Sequence, residues 1–323
     1  MDRAPAMLAA SSGGFSLANL RAYLDERFPV PVTLMLSLAL GAAAYAAAQG
    51  AFVRAGAPLV IDAAAIGGCA MTFLFAFLLR VYDEHKDFAH DAATRPDRPV
   101  QRGLITLAQL RVLGGIAVAG QLALALPYGA VPAVAYAAVL GYSVLMYVEF
   151  FAKQWLEPRF VLYALSHTAV MSILALALGV RFTTQAGASI PVELWGLLVL
   201  CAPAFFSIDV LRKIWAPATE VDGVPSYSKL CGYGGAAALG IGLLVIDAII
   251  AGWIGVRFGG GIGWIATCAA VTAWAASECV MFARAPVAGR EKRLEVAAGV
   301  HLLVMFAGIA VVAGVSNGVQ WGM

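Results

Sequence analysis

Charged residues are scarce in this sequence: they make up 12% of its 323 residues, whereas 62% are hydrophobic. The mean hydropathy is +0.85, and a soluble domain of this length does not need so apolar a composition. The sequence also lacks the alternating segments of about ten residues that are typical of an outer-membrane barrel. These features argue against a soluble enzyme and predict a chain that crosses a membrane as helices.

Other familiar features are missing too. The five cysteines have no CxxC spacing and lie in or beside apolar runs, which indicates small apolar residues rather than a disulfide framework or a metal site. There is no Walker-type loop and no dinucleotide fingerprint, and we interpret FGGGIG (258–263) as a flexible turn. The first residues, MDRAPAMLAASSGGF, lack the apolar core of a cleaved signal.

What the chain does contain is a series of apolar runs of about 20 residues, the length that crosses about 30 Å of hydrocarbon. We therefore predict an all-α polytopic membrane protein with nine transmembrane helices. Residues 1–28 form a cytoplasmic N-terminal segment with a short amphipathic helix over 15–28, and residues 29–323 form a single transmembrane domain. The nine predicted spans are 29–49, 57–79, 104–126, 129–148, 160–180, 191–211, 231–253, 262–283 and 296–316.

Basic residues are distributed unevenly between the two sides that these spans define. Eighteen of the 21 lysines and arginines, including Arg3, fall on the side of the N-terminus and the even-numbered loops, and three fall on the other side. By the positive-inside rule, this predicts a cytoplasmic N-terminus in a cytoplasmic (inner) membrane.

The charge that is present concentrates in RVYDEHKDFAHDAATRPDRPVQRG (80–103). Asp83, Asp87 and Asp91 recur every four residues, so on a helix they share one stripe. Stacked carboxylates repel one another unless a cation lies among them, and oxygen ligands of this kind suit Mg²⁺. The arginines that follow match phosphate oxygens. The alternative is a solvated loop in which the acids pair with the bases.

A second charged cluster ends the sixth span in FFSIDVLRKIWAPATEVDGVPSYSKLCG (205–232). Asp209, Arg212 and Lys213 share a helical face, and Glu220 follows on the loop after Pro217. The alternative is an ordinary helix pair between Asp209 and Lys213. Two acidic clusters with many bases beside one apolar cavity would suit a diphosphate with a hydrocarbon tail.

The first of these clusters resembles the motif of the UbiA superfamily of intramembrane prenyltransferases, N-x-x-x-D-x-x-x-D followed closely by R-P-[LV]-x-x-G. The matching text is D-EHK-D-FAH-D-AATRPD-RPV-QR-G (83–103), with Asp83 where the family usually has Asn. In the second family motif, Asp209 matches the upstream acid. D-x-x-x-D falls on Ala216 to Glu220, so the first Asp is lost and the second is Glu. The resemblance covers nearly the whole chain by span count and loop placement.

The resemblance implies nine helices around a central cavity and an enzyme of isoprenoid biosynthesis that faces the cytoplasm. Such an enzyme, a transferase of prenyl groups, ionises a prenyl diphosphate with Mg²⁺ and transfers the prenyl group to an aromatic or other electron-rich lipophilic acceptor. The partners implied are these two substrates and the lipid bilayer, with no nucleic acid, and the oligomeric state stays open. The expected metal ligands and catalytic residues are Asp83, Asp87, Asp91, Asp209 and Glu220. The expected substrate-binding residues are Arg98, Arg102, Lys153, Arg212, Lys213, Lys229 and His167.

Two other functions are compatible with the residues. A terpene cyclase of the same fold would begin with the same ionisation and capture the cation internally. A transporter or a passive membrane scaffold is less favoured, because transporters usually carry polar residues at the midplane in internally repeated halves, whereas here the acids concentrate at one face.

Overall fold

The computed structural model describes residues 15–322, and residues 1–14, including Arg3 and the first half of the predicted N-terminal segment, lie outside the described residues. Helices dominate the described part of the chain. In order they are α1 (Leu17–Arg27), α2 (Val30–Ala48), α3 (Gly50–Arg54), α4 (Ala63–Lys86), α5 (Phe88–Thr94), α6 (Leu107–Ala125), α7 (Ala130–Tyr147), α8 (Lys153–Leu156), α9 (Phe160–Gln185), α10 (Val192–Arg212), α11 (Tyr227–Arg257), α12 (Ile262–Arg284) and α13 (Glu291–Asn317). Two 3-10 helices (Leu126–Tyr128 and Glu149–Phe151) and two strands, β1 (Leu59–Ile61) and β2 (Val319–Trp321), complete the described elements.

Nine helices of this described range are long and apolar enough to cross a membrane: α2, α4, α6, α7, α9, α10, α11, α12 and α13. The predicted all-α polytopic fold class and the number of spans are therefore confirmed, and the chain is an integral membrane protein. A helix also forms in the predicted amphipathic segment, where α1 packs Tyr23 against Val81 and Val100. The central cavity and the cytoplasmic position of the N-terminus stay predictions.

Polar caps set where several spans begin. Thr106 and Gln109 form a reciprocal capping box at the start of α6, and Ser226 accepts a hydrogen bond from the Lys229 backbone at the start of α11. Asp62 caps α4 in the same way, at 2.9 Å from the Ala65 nitrogen. The prediction of a second span over 57–79 is therefore wrong at both ends, because the helix begins after Asp62 and continues to Lys86.

Small residues allow the spans to pack closely. The middle of α2 is rich in buried alanines, and this helix packs against α4, α9, α10 and α13. A Cβ atom added to Gly41 would lie 2.7 Å from the Cys69 sulfur, which shows how near the backbones of α2 and α4 approach. Close contact between small residues is the usual source of helix association in a membrane, where lipid supplies no hydrophobic driving force.

The two ends of the helix bundle differ in chemistry. At one end, β1 and β2 pair in parallel, and buried Glu193 accepts from Arg54 at 2.7 Å and from Arg257 at 2.6 Å. At the other end, α4, α7 and α10 finish and α6, α9 and α11 begin. Both predicted acidic clusters lie there, and we call it the motif end.

Candidate active site

The first acidic cluster lies where α4 gives way to α5. The backbone keeps a helical repeat across the junction, since the Asp87 nitrogen donates to the Asp83 carbonyl (2.9 Å) and the Asp91 nitrogen to the Asp87 carbonyl (2.7 Å). The three carboxylates therefore follow one another by single turns, as the spacing predicts. Their side chains nevertheless have different surroundings.

Asp91 turns inward and forms an ion pair with Arg98. It is almost fully buried, and Arg98 is about three-quarters buried, so each residue is the main partner of the other. The structure thus joins a predicted metal ligand to a predicted diphosphate ligand instead of presenting both to a substrate. The physical reason is burial, since a carboxylate in the protein interior requires a cation at close range.

The loop after Asp91 explains the R-P-V-x-x-G motif in structural terms. Pro99 and Val100 are buried, and Val100 packs in a cluster with Ile105 and Leu110. Gly103 has a φ of 75°, a left-handed conformation that favours glycine and reverses the chain before α6. The motif therefore fixes this loop against the bundle, with Arg98 held at its base.

Asp83 and Asp87 remain accessible. Asp83 lies 3.5 Å from Arg80, and Asp87 does not cap α5 with its side chain. The pKa of Asp87 is raised above its ordinary value, first because the surrounding protein restricts hydration of the carboxylate and second because the Asp91 carboxylate lies near. A cation bound at Asp87 would relieve both costs.

The chemistry of this pair fits Mg²⁺. Within residues 15–322, no three His, Cys, Asp or Glu side chains converge into a metal site of their own. Mg²⁺ does not require such a cluster, because it is usually bound by one or two carboxylates together with water and substrate phosphates. Asp83 and Asp87 would hold the ion, whereas Asp91 is directed towards Arg98.

The second acidic cluster is more completely paired. Asp209 accepts from Lys213 at 2.6 Å and from the Tyr227 hydroxyl at 2.9 Å. Gly232 breaks the helical geometry of α11 with a φ of 70°, after the turn that carries Tyr227. The ordinary pair between Asp209 and Lys213, which the sequence left as an alternative, is present.

Glu220 is held by the start of α11. It accepts from the Ser226 hydroxyl at 2.9 Å, from the Ser228 hydroxyl at 2.5 Å and from Lys229 at 3.5 Å. Lys229 also donates to the Val221 and Val224 carbonyls. These contacts close the loop between α10 and α11, and they give both Glu220 and Lys229 a structural role.

The position where the family has a first aspartate is buried. Ala216 has no exposed surface, and its backbone nitrogen donates to Glu291 at 3.2 Å. An aspartate there would be buried beside a second carboxylate, so the position is unsuited to a metal ligand. Arg212, in contrast, is exposed and lies 3.6 Å from Glu295.

Two further predicted substrate-binding residues lie at the surface of the motif end. Arg102 donates to Glu26 of α1 at 2.5 Å, with both side chains more than two-fifths exposed, so this pair adds little stability. Lys153 begins α8 and is exposed. Both cations could therefore turn towards an anionic substrate at low cost.

The start of α9 connects the two acidic clusters. Phe160 packs on Tyr227 with ring centroids 4.7 Å apart, and the Lys213 ammonium lies over the Phe160 ring at 5.1 Å. Two turns of helix include Tyr163 and His167, which contact Lys86 at 3.1 and 3.4 Å. The structure thus brings the ends of α4 and α10 to one site.

Sequence reasoning missed part of this connection. Glu149 and Tyr163 were not among the predicted site residues, yet Glu149 lies 2.7 Å from Lys86 and accepts from Tyr163 at 3.0 Å. The available signal was an acid at the boundary of an apolar span, where an ionisable group is a functional candidate. Lys86 lay within the first motif, but its partners come from α7 and α9 and could not be identified by spacing.

The second cluster permits a direct test of metal binding. We expect Asp209→Asn to leave the Mg²⁺ concentration for half-maximal activity within about twofold of the parent value and to lower the melting temperature slightly, because Asp209 is already neutralised by Lys213. A Mg²⁺ titration beside Asp222→Asn, an exposed acid of the same loop, measures this. A requirement raised tenfold in Asp209→Asn alone would instead make this carboxylate a metal ligand.

No protein-family model matches the chain, and no curated protein matches it significantly. Solved structures do resemble it. One, from a study of digeranylgeranylglyceryl phosphate synthase in membranes, has a TM-score of 0.59 at 14% identity and covers 91% of this chain and 99% of its own. Another, a UbiA homolog from Aeropyrum pernix K1, has a TM-score of 0.59 at 17% identity, and the match covers 88% of this chain and 96% of the homolog. The chain therefore shares its fold with these structures, one of which is a homolog in the family that its first motif resembles.

Proposed function

We propose that this protein is a Mg²⁺-dependent intramembrane prenyltransferase, which ionises a prenyl diphosphate and transfers the prenyl group to an electron-rich, lipophilic acceptor. The observation that carries the proposal is that the end of α4, which bears Asp83 and Asp87, is tied to α9 by Lys86 and Tyr163, while Lys213, directly after α10, packs on the first residue of the same helix, all at one end of an apolar bundle. The shared fold and the matching first motif support it.

Each group has a part that follows from its place. Asp83 and Asp87 would hold the ion, and Mg²⁺ bound there would offset the charge of the leaving diphosphate. Arg102, Lys153 and Lys213 bind phosphate oxygens, since each retains exposed surface at the motif end. These cations stabilise the negative charge that develops as the C1–O bond breaks, and this is the main catalytic contribution.

The apolar bundle supplies the second requirement. An allylic cation reacts with water, so it must form where water is scarce. Beyond the motif end, the helices pack together mainly through aliphatic and aromatic side chains, and Phe205 of α10 contacts Phe306 of α13. Aromatic faces of this kind can stabilise a cation until the acceptor captures it.

One observation keeps a second function open. The buried Ala216 removes a family metal ligand, and a site altered in this way is compatible with a terpene cyclase, in which the substrate's own double bonds capture the cation. The ionisation would be the same in both reactions. Only the fate of the cation differs.

Purified protein incubated with prenyl diphosphates of different lengths tests the proposal. With Mg²⁺ and a phenolic acceptor, we expect pyrophosphate and a prenylated phenol; without the acceptor, turnover should be slow. A terpene hydrocarbon or alcohol formed rapidly without an acceptor would establish the cyclase. The absence of pyrophosphate release from every prenyl diphosphate would refute both and favour a transporter or scaffold.

We further propose that the motif end faces the cytoplasm of a cytoplasmic membrane. The basic residues collected at this end support it, because such residues are retained on the cytoplasmic side. In a background with exposed Cys231 replaced by alanine, a membrane-impermeant thiol reagent should label Ser189→Cys in intact cells but Asp97→Cys only after permeabilisation. The reverse labelling pattern would contradict this orientation.

A further inference from the structure

The turn after α7 has an unusual backbone. Glu149, Phe150 and Phe151 have φ values of 52°, 52° and 55°, and none of them is glycine. Consecutive left-handed residues with side chains are unfavourable and persist only where the surrounding contacts hold them. Phe150 supplies one such contact, since its ring meets Tyr142 and His167 edge-on at 5.5 and 5.8 Å.

The strained turn places the Glu149 carboxylate inside the bundle. One oxygen, Oε1, accepts from Lys86 at 2.7 Å and from the Tyr163 hydroxyl at 3.0 Å. The other oxygen, Oε2, is buried without a hydrogen-bond partner. A buried carboxylate oxygen normally accepts a hydrogen bond, so Oε2 has capacity for a donor.

The nearest ring nitrogen belongs to His167, whose Nε2 lies 3.7 Å from Oε2. The Nδ1 atom lies 2.8 Å from the Tyr163 carbonyl oxygen, which can only accept, so Nδ1 carries the proton of the neutral imidazole. Nε2 then has the lone pair, which faces the Lys86 ammonium only at 3.4 Å, longer than a usual hydrogen bond. The ring is fixed by stacking on Tyr163, with centroids 4.1 Å apart and planes inclined by 15°.

We propose that His167 is the catalytic base of the prenyl transfer and removes the proton that an aromatic acceptor loses after attack. Glu149 is the positioning residue, and it pairs with the imidazolium that results. This inference rests on the proposed function. It differs from the predicted role of His167 in substrate binding, because Nε2 accepts the ring proton of the acceptor and the strained turn holds Glu149 beside it.

The step balances without another reagent. The C1–O bond of the prenyl diphosphate breaks, and diphosphate leaves with the electron pair. A π pair of the acceptor ring forms the new C–C bond to C1. The ring C–H bond then breaks, its electrons restore aromaticity, and the proton goes to Nε2 of His167. The imidazolium later releases this proton to water or to the departing diphosphate.

The charges around His167 come from several elements. Lys86 faces it from α4, with the ammonium 3.4 Å from Nε2, and this positive charge opposes protonation. Glu149, on the turn after α7, favours protonation of His167. Tyr163, on α9 like His167, donates its hydroxyl hydrogen bond to Glu149. A weak base suffices for this step, because the cationic ring formed by attack is a strong acid.

The test compares His167→Gln with the parent on phenol, hydroquinone and 1,4-dihydroxynaphthalene, each with and without ring deuterium. In the parent, proton loss follows the slow step, so deuterium should not change the rate. His167→Gln should lose about 10²–10³-fold in kcat. It should also acquire a primary isotope effect while binding a prenyl thiodiphosphate with parent affinity.

Glu149→Gln keeps the shape of the side chain and removes its charge. Its kcat should fall less than that of His167→Gln, its KM should be unchanged, and it should show the same primary isotope effect. If Glu149 had only a structural role, its replacement would produce no isotope effect. His85→Gln is the matched control, because His85 Nδ1 is held by the Val81 carbonyl in the same way, at 2.8 Å, and we place it outside the machinery. Its kinetics should match those of the parent. Melting curves in detergent confirm that all the variants are folded.

The outcomes are separable. Less than threefold loss in His167→Gln, a loss without an isotope effect, or a parallel loss of thiodiphosphate binding would each overturn the inference and leave the prenyltransferase in place. A parent that prenylates none of the phenols while releasing pyrophosphate also overturns it. A parent that releases no pyrophosphate refutes the proposed function and the inference together.

Discussion

Asp87→Ala is expected to abolish turnover, by at least about 10³-fold, and to leave the protein folded in detergent. The reason is the contrast between what Asp87 contributes to the fold and what it offers a metal. Its side chain does not cap α5 and keeps exposed surface, yet its pKa is raised because the neighbouring protein restricts its hydration and because the Asp91 carboxylate lies near. Without Asp87, the diphosphate should lose its metal ion, whereas the stability of the helix bundle should be unchanged.

Asp97→Ala is the matched control, because this exposed acid lies on the adjacent loop and is outside the proposed metal pair. Pyrophosphate release over a Mg²⁺ titration and a melting curve are measured for both variants. Near-normal turnover of Asp87→Ala at saturating Mg²⁺ would refute the metal assignment. A melting temperature far below that of the control would show that Asp87 supports the fold instead.

The large-scale architecture could be predicted from the sequence because the bilayer imposes it. A span needs about 20 apolar residues and must satisfy its own backbone hydrogen bonds, so hydropathy alone located nine helices. It failed where a polar residue decides the boundary. Asp62 starts α4 later than the apolar run begins, and the same helix carries the charged residues up to Lys86 beyond the predicted end.

The site shows the limit of spacing arguments more sharply. Periodicity correctly placed Asp83, Asp87 and Asp91 at successive turns, but it treats side chains on one stripe as equivalent. Tertiary contacts made them different, since Arg98 returns from a loop seven residues later to pair with Asp91. The second motif shows the same effect, because Ser226 and Ser228 satisfy Glu220 only once the loop before α11 has folded.

The group around Glu149 was beyond the reach of any local pattern. Its members come from α4, from α9 and from the turn after α7, and they are separated by up to 81 residues. A left-handed conformation at three residues that are not glycine has no sequence signature. Such departures from local preference are expected where function requires a fixed geometry, and this turn lies beside the proposed reaction centre.

The Asp91→Ala variant is expected to lose both turnover and stability, and in this it should differ from Asp87→Ala. Asp91 is almost fully buried against Arg98, which is itself about three-quarters buried. Removal of one partner leaves the other charge without compensation, which costs about 2 kcal/mol at a partly exposed pair and lowers the melting temperature by about 3–6 °C. Turnover falls because the loop that contains Arg98 and Arg102 is no longer held in place.

A double-mutant cycle separates this role from metal binding. Arg98→Ala should lower the melting temperature as much as Asp91→Ala, and the double variant should be no less stable than either, because the two residues act on stability as a pair. The Mg²⁺ concentration for half-maximal residual activity should stay at the parent value in Asp91→Asn. If it rises tenfold while the melting temperature is unchanged, Asp91 contacts the metal during turnover, and the pair with Arg98 must open to allow this. The first motif would then present all three aspartates to the metal, as the family pattern implies.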